Sequence, residues 1–138
     1  MEYARVPAEY SVAGSNFGLA YDFALKALPA GLLASRRHQR RRDVYETASR
    51  AAGLAAECYH ISGNDNETKL WAGRAADAFE GFAGAAMAAA KAASVIEVGN
   101  PPHTRPMEFP EMVPNERRNV ENARREMNDR LRQLGVPI

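Results

Sequence analysis

Between Trp71 and Ile96 apolar residues recur without a break at spacings of four and three: Trp71, Ala75, Ala78, Phe82, Ala85, Ala89, Ala92 and Ile96. A strand repeats every two residues and a helix every 3.6, so only a helix keeps all eight on one side. A second row, Ala72, Phe79, Ala83, Ala86, Ala90 and Ala93, lies beside the first. The combined apolar arc is too wide for a surface helix with a single neighbour. A helix over 66–95 would be about 45 Å long, against about 37 Å for the diameter of a compact sphere of this chain length. The chain is therefore expected to organise around a long central alanine-rich helix.

Composition points the same way. Of 138 residues, 26 are alanine and only 11 are Phe, Trp or Tyr, which favours helices with closely approaching backbones and a thin core. Apart from a weak alternation at Tyr10–Ala13, no β-branched alternating run bounded by turn residues is present. The expected fold is all-α, a four- to five-helix bundle-like arrangement in one domain covering 1–138.

Residues 1–14 carry Pro7, a closing Gly14 and isolated apolar residues, and read as an N-terminal arm. A first helix follows, with Phe17, Tyr21, Ala24, Leu28 and Leu32 on one face and a kink or restart at Pro29. A second helix over 35–59 presents Val44, Ala48, Ala51, Ala55 and Cys58, and the Gly, Asn and Asp cluster at 62–66 ends it and caps the next. Five prolines fall within 98–114. They predict an extended, polyproline-like connection, pinned across the helices by Met107, Phe109, Met112 and Val113.

The last helix, 115–134, is expected to start at Pro114-Asn115 and stop at Gly135 and Pro137. Its apolar seam, Val120, Ala123, Met127, Leu131 and Leu134, is narrow, suited either to light docking on the chain's own core or to a homodimer through Val120, Met127, Leu131 and Leu134. Arg117, Glu121, Arg125 and Asp129 alternate in sign at spacing four, as do Glu126 and Arg130, which predicts ladders along the helix.

Several function classes drop out. One cysteine, Cys58, precludes an internal disulfide framework and a Cys-pair zinc ribbon. Cys58 and His60, two apart on a helix, point in different directions, and neither His38 nor His103 completes a ligand set; no metal or cofactor is expected. The apolar run 81–96 contains Lys91 and falls short of the roughly 20 residues a span needs. No basic flank precedes an apolar core at the N-terminus, so the expectation is a cytoplasmic chain without a membrane partner. No glycine-framed nucleophile, zinc-finger spacing or RNA-recognition signature occurs, and no histidine has an arginine five to seven residues upstream, as one family of helical ribonucleases requires.

The outstanding feature is Arg36-Arg37-His38-Gln39-Arg40-Arg41-Arg42, which carries +5 while the rest of the chain sums to −4. Arg36 with Arg40, and Arg37 with Arg41, are like charges one helical turn apart, a repulsion of a few tenths of a kcal/mol each. The candidate binding residues are thus Arg36, Arg37, Arg40, Arg41 and Arg42, whose planar forks suit phosphate or carboxylate. The cluster has no interleaved aromatic residues, so any nucleic acid would be held by its backbone. The leading expectation is a non-enzymatic interaction protein for an acidic protein or a nucleic-acid backbone. A small inhibitor or immunity-type protein of a mobile element, occluding a protein partner, is a second. An enzyme with a site near Glu57, Tyr59, His60 and Asp65 is the alternative from another class.

Overall fold

The computed structural model of the chain describes residues 2–28 and 34–137. Its elements are α1 (Glu2–Lys26), α2 (Ala34–Ile61), α3 (Asp65–Ala93), β1 (Val95–Val98), β2 (Arg105–Glu108) and α4 (Met112–Gln133). Among the described residues four helices pack together and a two-stranded hairpin interrupts them, so the all-α class holds.

The helical hairpin of α2 and α3 is the frame. Its turn follows the 62–66 chemistry: Gly63 adopts φ +81°, and the Asn64 side-chain oxygen accepts the Glu67 N–H at 3.1 Å. Positive φ suits glycine, and an N-cap oxygen satisfies an otherwise orphaned donor. The long axes then register, with Ser49 Oγ donating to the Ala75 carbonyl at 3.2 Å and Gly81 lying against the Tyr45 ring. Ala52, Ala55 and Ala56 of α2 meet Ala72 and Ala75 of α3 with almost no exposure, and Ala48 and Ala86 are buried to the same degree. Trp71 and Phe79 are buried, as the periodicity required; Phe82 is only partly buried at the edge of the Phe79 cluster.

The first helix corrects two expectations. Residues 2–14 are not an arm but the first half of α1, which passes through Pro7 and Gly14. The reason is tertiary. A Cβ on Gly14 would lie 2.9 Å from Tyr59 Cε2, and one on Gly18 would lie 2.5 Å from Trp71 Cζ2. These two glycines, four apart, share one helix face and let α1 lie close on α2 and α3. Phe17 and Tyr21 follow into the core, Tyr21 meeting Trp71 edge-on at 5.5 Å. Leu28 is exposed, whereas the break at Pro29 and the apolar residue Leu32 lie outside the described residues.

The proline-rich segment is not a polyproline crossing. Val95, Ile96, Glu97 and Val98 pair antiparallel with Glu108, Met107, Pro106 and Arg105. A turn in which the His103 N–H donates to the Asn100 carbonyl joins the strands, and the Phe109 N–H closes the base on the Ser94 carbonyl, both at 2.7 Å. Pro106 fits because N–H groups alternate in direction along a strand: that of Phe109 faces inward, which turns position 106 outward, where a missing donor costs no ladder bond. Of the four residues expected to pin the segment across the helices, Met107 is 41% exposed and Phe109 38%, whereas Met112 and Val113 are partly buried in the first turn of the last helix.

α4 begins at Met112, three residues before the expected start, and takes Pro114 into its first turn, where a backbone N–H would have no partner anyway. It ends where expected, with Gly135 at φ +75°. Its seam is used within the chain. Val120 packs on Phe79, Ala83 and Ala86, Leu131 joins Tyr59 and Trp71, and Met127 and Leu134 border the same clusters. The apolar residues assigned to a homodimer therefore serve the chain's own core.

The spacing-four ladders give way to other pairs. Arg124 grips Glu80 of α3 with two bonds, at 2.9 and 3.0 Å, and also holds Glu121; Arg130 reaches Glu57 of α2 at 3.0 Å; Arg132 bonds Asp129 at 3.1 Å. A bidentate carboxylate on a neighbouring helix satisfies a guanidinium better than a single contact along its own helix.

Candidate binding surface

Since α3 runs back along α2 from a three-residue turn, the start of α2 lies beside the end of α3. The hairpin therefore emerges next to the arginine cluster. The Arg42–Glu116 ion pair, 3.7 Å, brings the first turns of α4 to the same end. That end gathers the N-termini of α2 and α4 beside the C-terminus of α3; neither N-terminus has an acidic residue in its first turn, although Glu111 is the N-cap of α4. By contrast the first turn of α3, at the far end, carries Asp65 and Glu67. Helix N-termini hold partial positive charge and C-termini partial negative charge, each within about one turn, so Arg36 and Arg37, in the first turn of α2, add to the positive end of their own helix.

Arg36, Arg37, Arg40 and Arg41 are all exposed and make no ion pair among the described residues. From Arg36 to Arg41 they cover about 7.5 Å along the helix axis. Arg41 leans over the Tyr45 ring at 6.0 Å. Arg42 is different: its guanidinium lies 5.7 Å over Phe82, its Nε is buried with no partner, and it ties α2 to α4 through Glu116. Glu46 pairs with Arg50 at 2.7 Å, whereas Arg42 pairs with Glu116. Two exposed residues that spacing could not assign to this end, Arg117 and Arg118, extend the basic surface from α4. The nearby acids are Asp43, Glu97, Glu108 and Glu111, along with the paired Glu116.

A concavity of about 410 Å³ runs between α2 and α4 over Phe79 and Phe82. Leu54, Met127, Leu131 and Leu134 line it, and the Glu57–Arg130 pair bridges its walls.

The residues of the enzymatic alternative do not converge. Glu57 faces this groove in its pair with Arg130, Tyr59 is buried against Gly14, and His60 and Asp65 are exposed on either side of the turn. Cys58 is buried, and burial, with the Glu57 charge as a lesser cause, pushes its thiol up, away from the thiolate a nucleophile needs. No group of three or more potential metal ligands occurs among the described residues, and none of the helices there is long and apolar enough to cross a membrane. The chain matches no family model, no curated protein and no solved structure.

Proposed function

We propose that this chain is a non-enzymatic binding protein whose basic end takes an acidic partner. The observation that carries the reading is the set Arg36, Arg37, Arg40 and Arg41, exposed on two turns of α2 and without an ion pair among the described residues. Their mutual repulsion and the adjacent helix N-terminus both disfavour the unbound state, by about 0.3–1 kcal/mol for each charge near the dipole. An anionic surface relieves both at once.

The test is Arg37→Glu with Arg40→Glu and Arg41→Glu, read by binding to duplex DNA and to polyglutamate over a salt series. Binding by three to five arginines predicts a log-log salt slope of roughly −3 to −4.5 on duplex DNA, and the triple variant should lose it while melting like the parent. Arg42 is left in place because it holds α4. A triple variant that binds both polyanions as the parent does overturns the proposal; one that unfolds shows the arginines to be paired within the chain and overturns it too.

A further inference from the structure

Within the run 36–42 the arginine cluster has no apolar residue to anchor it, and the fold places an apolar surface nearby. The hairpin that emerges beside it exposes Val95, Ile96, Met107 and Phe109, each between 38% and 49%. Strand pairing sorts its side chains. Residues directly opposite share a face, so Val95, Glu97, Pro106 and Glu108 lie on one side, and Ile96, Val98, Arg105 and Met107 on the other. The second face is apolar with a single cation and no carboxylate. A lone two-stranded ribbon is marginal in water, and exposing its apolar face is a cost that contact with phosphate oxygens alone does not recover.

We infer that the acidic partner is an anionic lipid surface, engaged together by Arg36, Arg37, Arg40 and Arg41 and by the carboxylate-free face of the 95–108 hairpin. This rests on the acidic-partner reading above. Charge complementarity selects the lipid headgroups, and the exposed Ile96 and Met107 select an interface with a hydrocarbon layer beneath it over a nucleic-acid backbone. Binding of this kind needs no spanning helix: basic residues are drawn to the charged leaflet while a few apolar side chains enter the headgroup boundary.

The experiment is co-sedimentation of the full chain with phosphatidylcholine vesicles and with mixed phosphatidylcholine–phosphatidylserine vesicles, beside duplex DNA as a lipid-free polyanion. The chain should pellet with the mixed vesicles only, and less so as salt rises. Each arginine near an anionic leaflet strengthens partitioning about fivefold, so Arg37→Glu with Arg40→Glu and Arg41→Glu should weaken it at least a hundredfold. Ile96→Ser with Met107→Ser, at exposed sites that do not hold the helices, should weaken vesicle binding at least tenfold and leave DNA binding unchanged. Met107→Trp should shift to bluer emission on mixed vesicles, while Trp71, already buried, stays constant. A serine double variant that partitions like the parent overturns the inference. So does a chain that binds DNA or polyglutamate but ignores both vesicles, which leaves the acidic-partner reading standing; a chain that binds none of these overturns both.

Discussion

Gly18→Ala and Gly53→Ala make the same chemical change in two helix interiors, and the structure assigns them opposite signs. Alanine is favoured over glycine within a helix by up to about 1 kcal/mol. At Gly53 a new Cβ meets nothing within 4 Å, so that gain is realised in full. At Gly18 it would lie 2.5 and 2.8 Å from Trp71 Cζ2 and Cη2, about 1 Å inside ordinary carbon contact. Trp71 cannot easily yield. Its indole N–H donates to Glu67 at 3.1 Å, Tyr21 abuts it, and the Arg74 guanidinium lies 4.4 Å over its ring. The other escape is for α1 to lift, which withdraws Phe17 and Tyr21 from the core. Overpacking of this kind costs about 1–3 kcal/mol, and the held ring puts Gly18 near the top of that range, for a net loss of about 1–2 kcal/mol after the propensity gain. For a chain of this size 1 kcal/mol moves the midpoint by about 4 °C, so the two variants should separate by roughly 8–12 °C in thermal melts followed by circular dichroism. If Gly18→Ala melts as high as Gly53→Ala, α1 does not dock on Trp71 and the account of the first helix fails.

What the sequence disclosed and what it hid divides along contact range. The α3 repeat, the 62–66 turn and the Gly135 stop are local: periodicity, turn residues and a positive-φ glycine lie within a few positions of the feature they specify. The start of α1 was hidden because Pro7 and Gly14 are breakers by local rules, and the reason for a small residue at 14 is Tyr59, on another helix. The hairpin was hidden by its prolines and by strands of four residues. Along α4 the spacing rules found charge partners only on the same helix, whereas Arg124 and Arg130 found Glu80 and Glu57, 44 and 73 positions away. The site follows the same rule. The arginine cluster was legible as a run, but Arg117, Arg118 and the apolar hairpin join it only through the antiparallel return of α3 and the placement of α4.

The remaining predictions follow from the same contacts. Leu131→Glu with Met127→Glu should destabilise the monomer by at least about 3 kcal/mol in urea unfolding, since a charge would be buried without a partner; a folded variant altered only in sedimentation would restore the seam to a dimer. Phe79→Ala should cost about 3–5 kcal/mol and Phe82→Ala less, because Phe82 is only partly buried, at the groove; equal losses would mean the groove is closed in solution. Cys58 should react with a disulfide reagent far more slowly in the folded chain, with its pH profile displaced upward. The raised thiol pKa means folding favours the neutral form, so that contribution to stability is present below the free-thiol range and is lost as pH rises through it; full reactivity near pH 8 would refute the burial. The last concerns Arg42. Its buried, unpartnered Nε carries a penalty of about 1–3 kcal/mol, while its 3.7 Å ion pair with Glu116 is worth about 0–1 kcal/mol and its stacking on Phe82 about 0.5–1 kcal/mol. Arg42→Lys deletes the orphaned donor, keeps a cation for Glu116 and keeps an aliphatic stem on Phe82. It should therefore unfold at the same or a higher urea concentration, up to about 1 kcal/mol more stable. Arg42→Met removes the same donor but also strands Glu116, whose side chain is only 20% exposed, and should fall below the lysine variant. A lysine variant less stable than the parent by 1 kcal/mol or more would show that Nε has a partner, such as a bound water, and that Arg42 is a satisfied strut between α2 and α4.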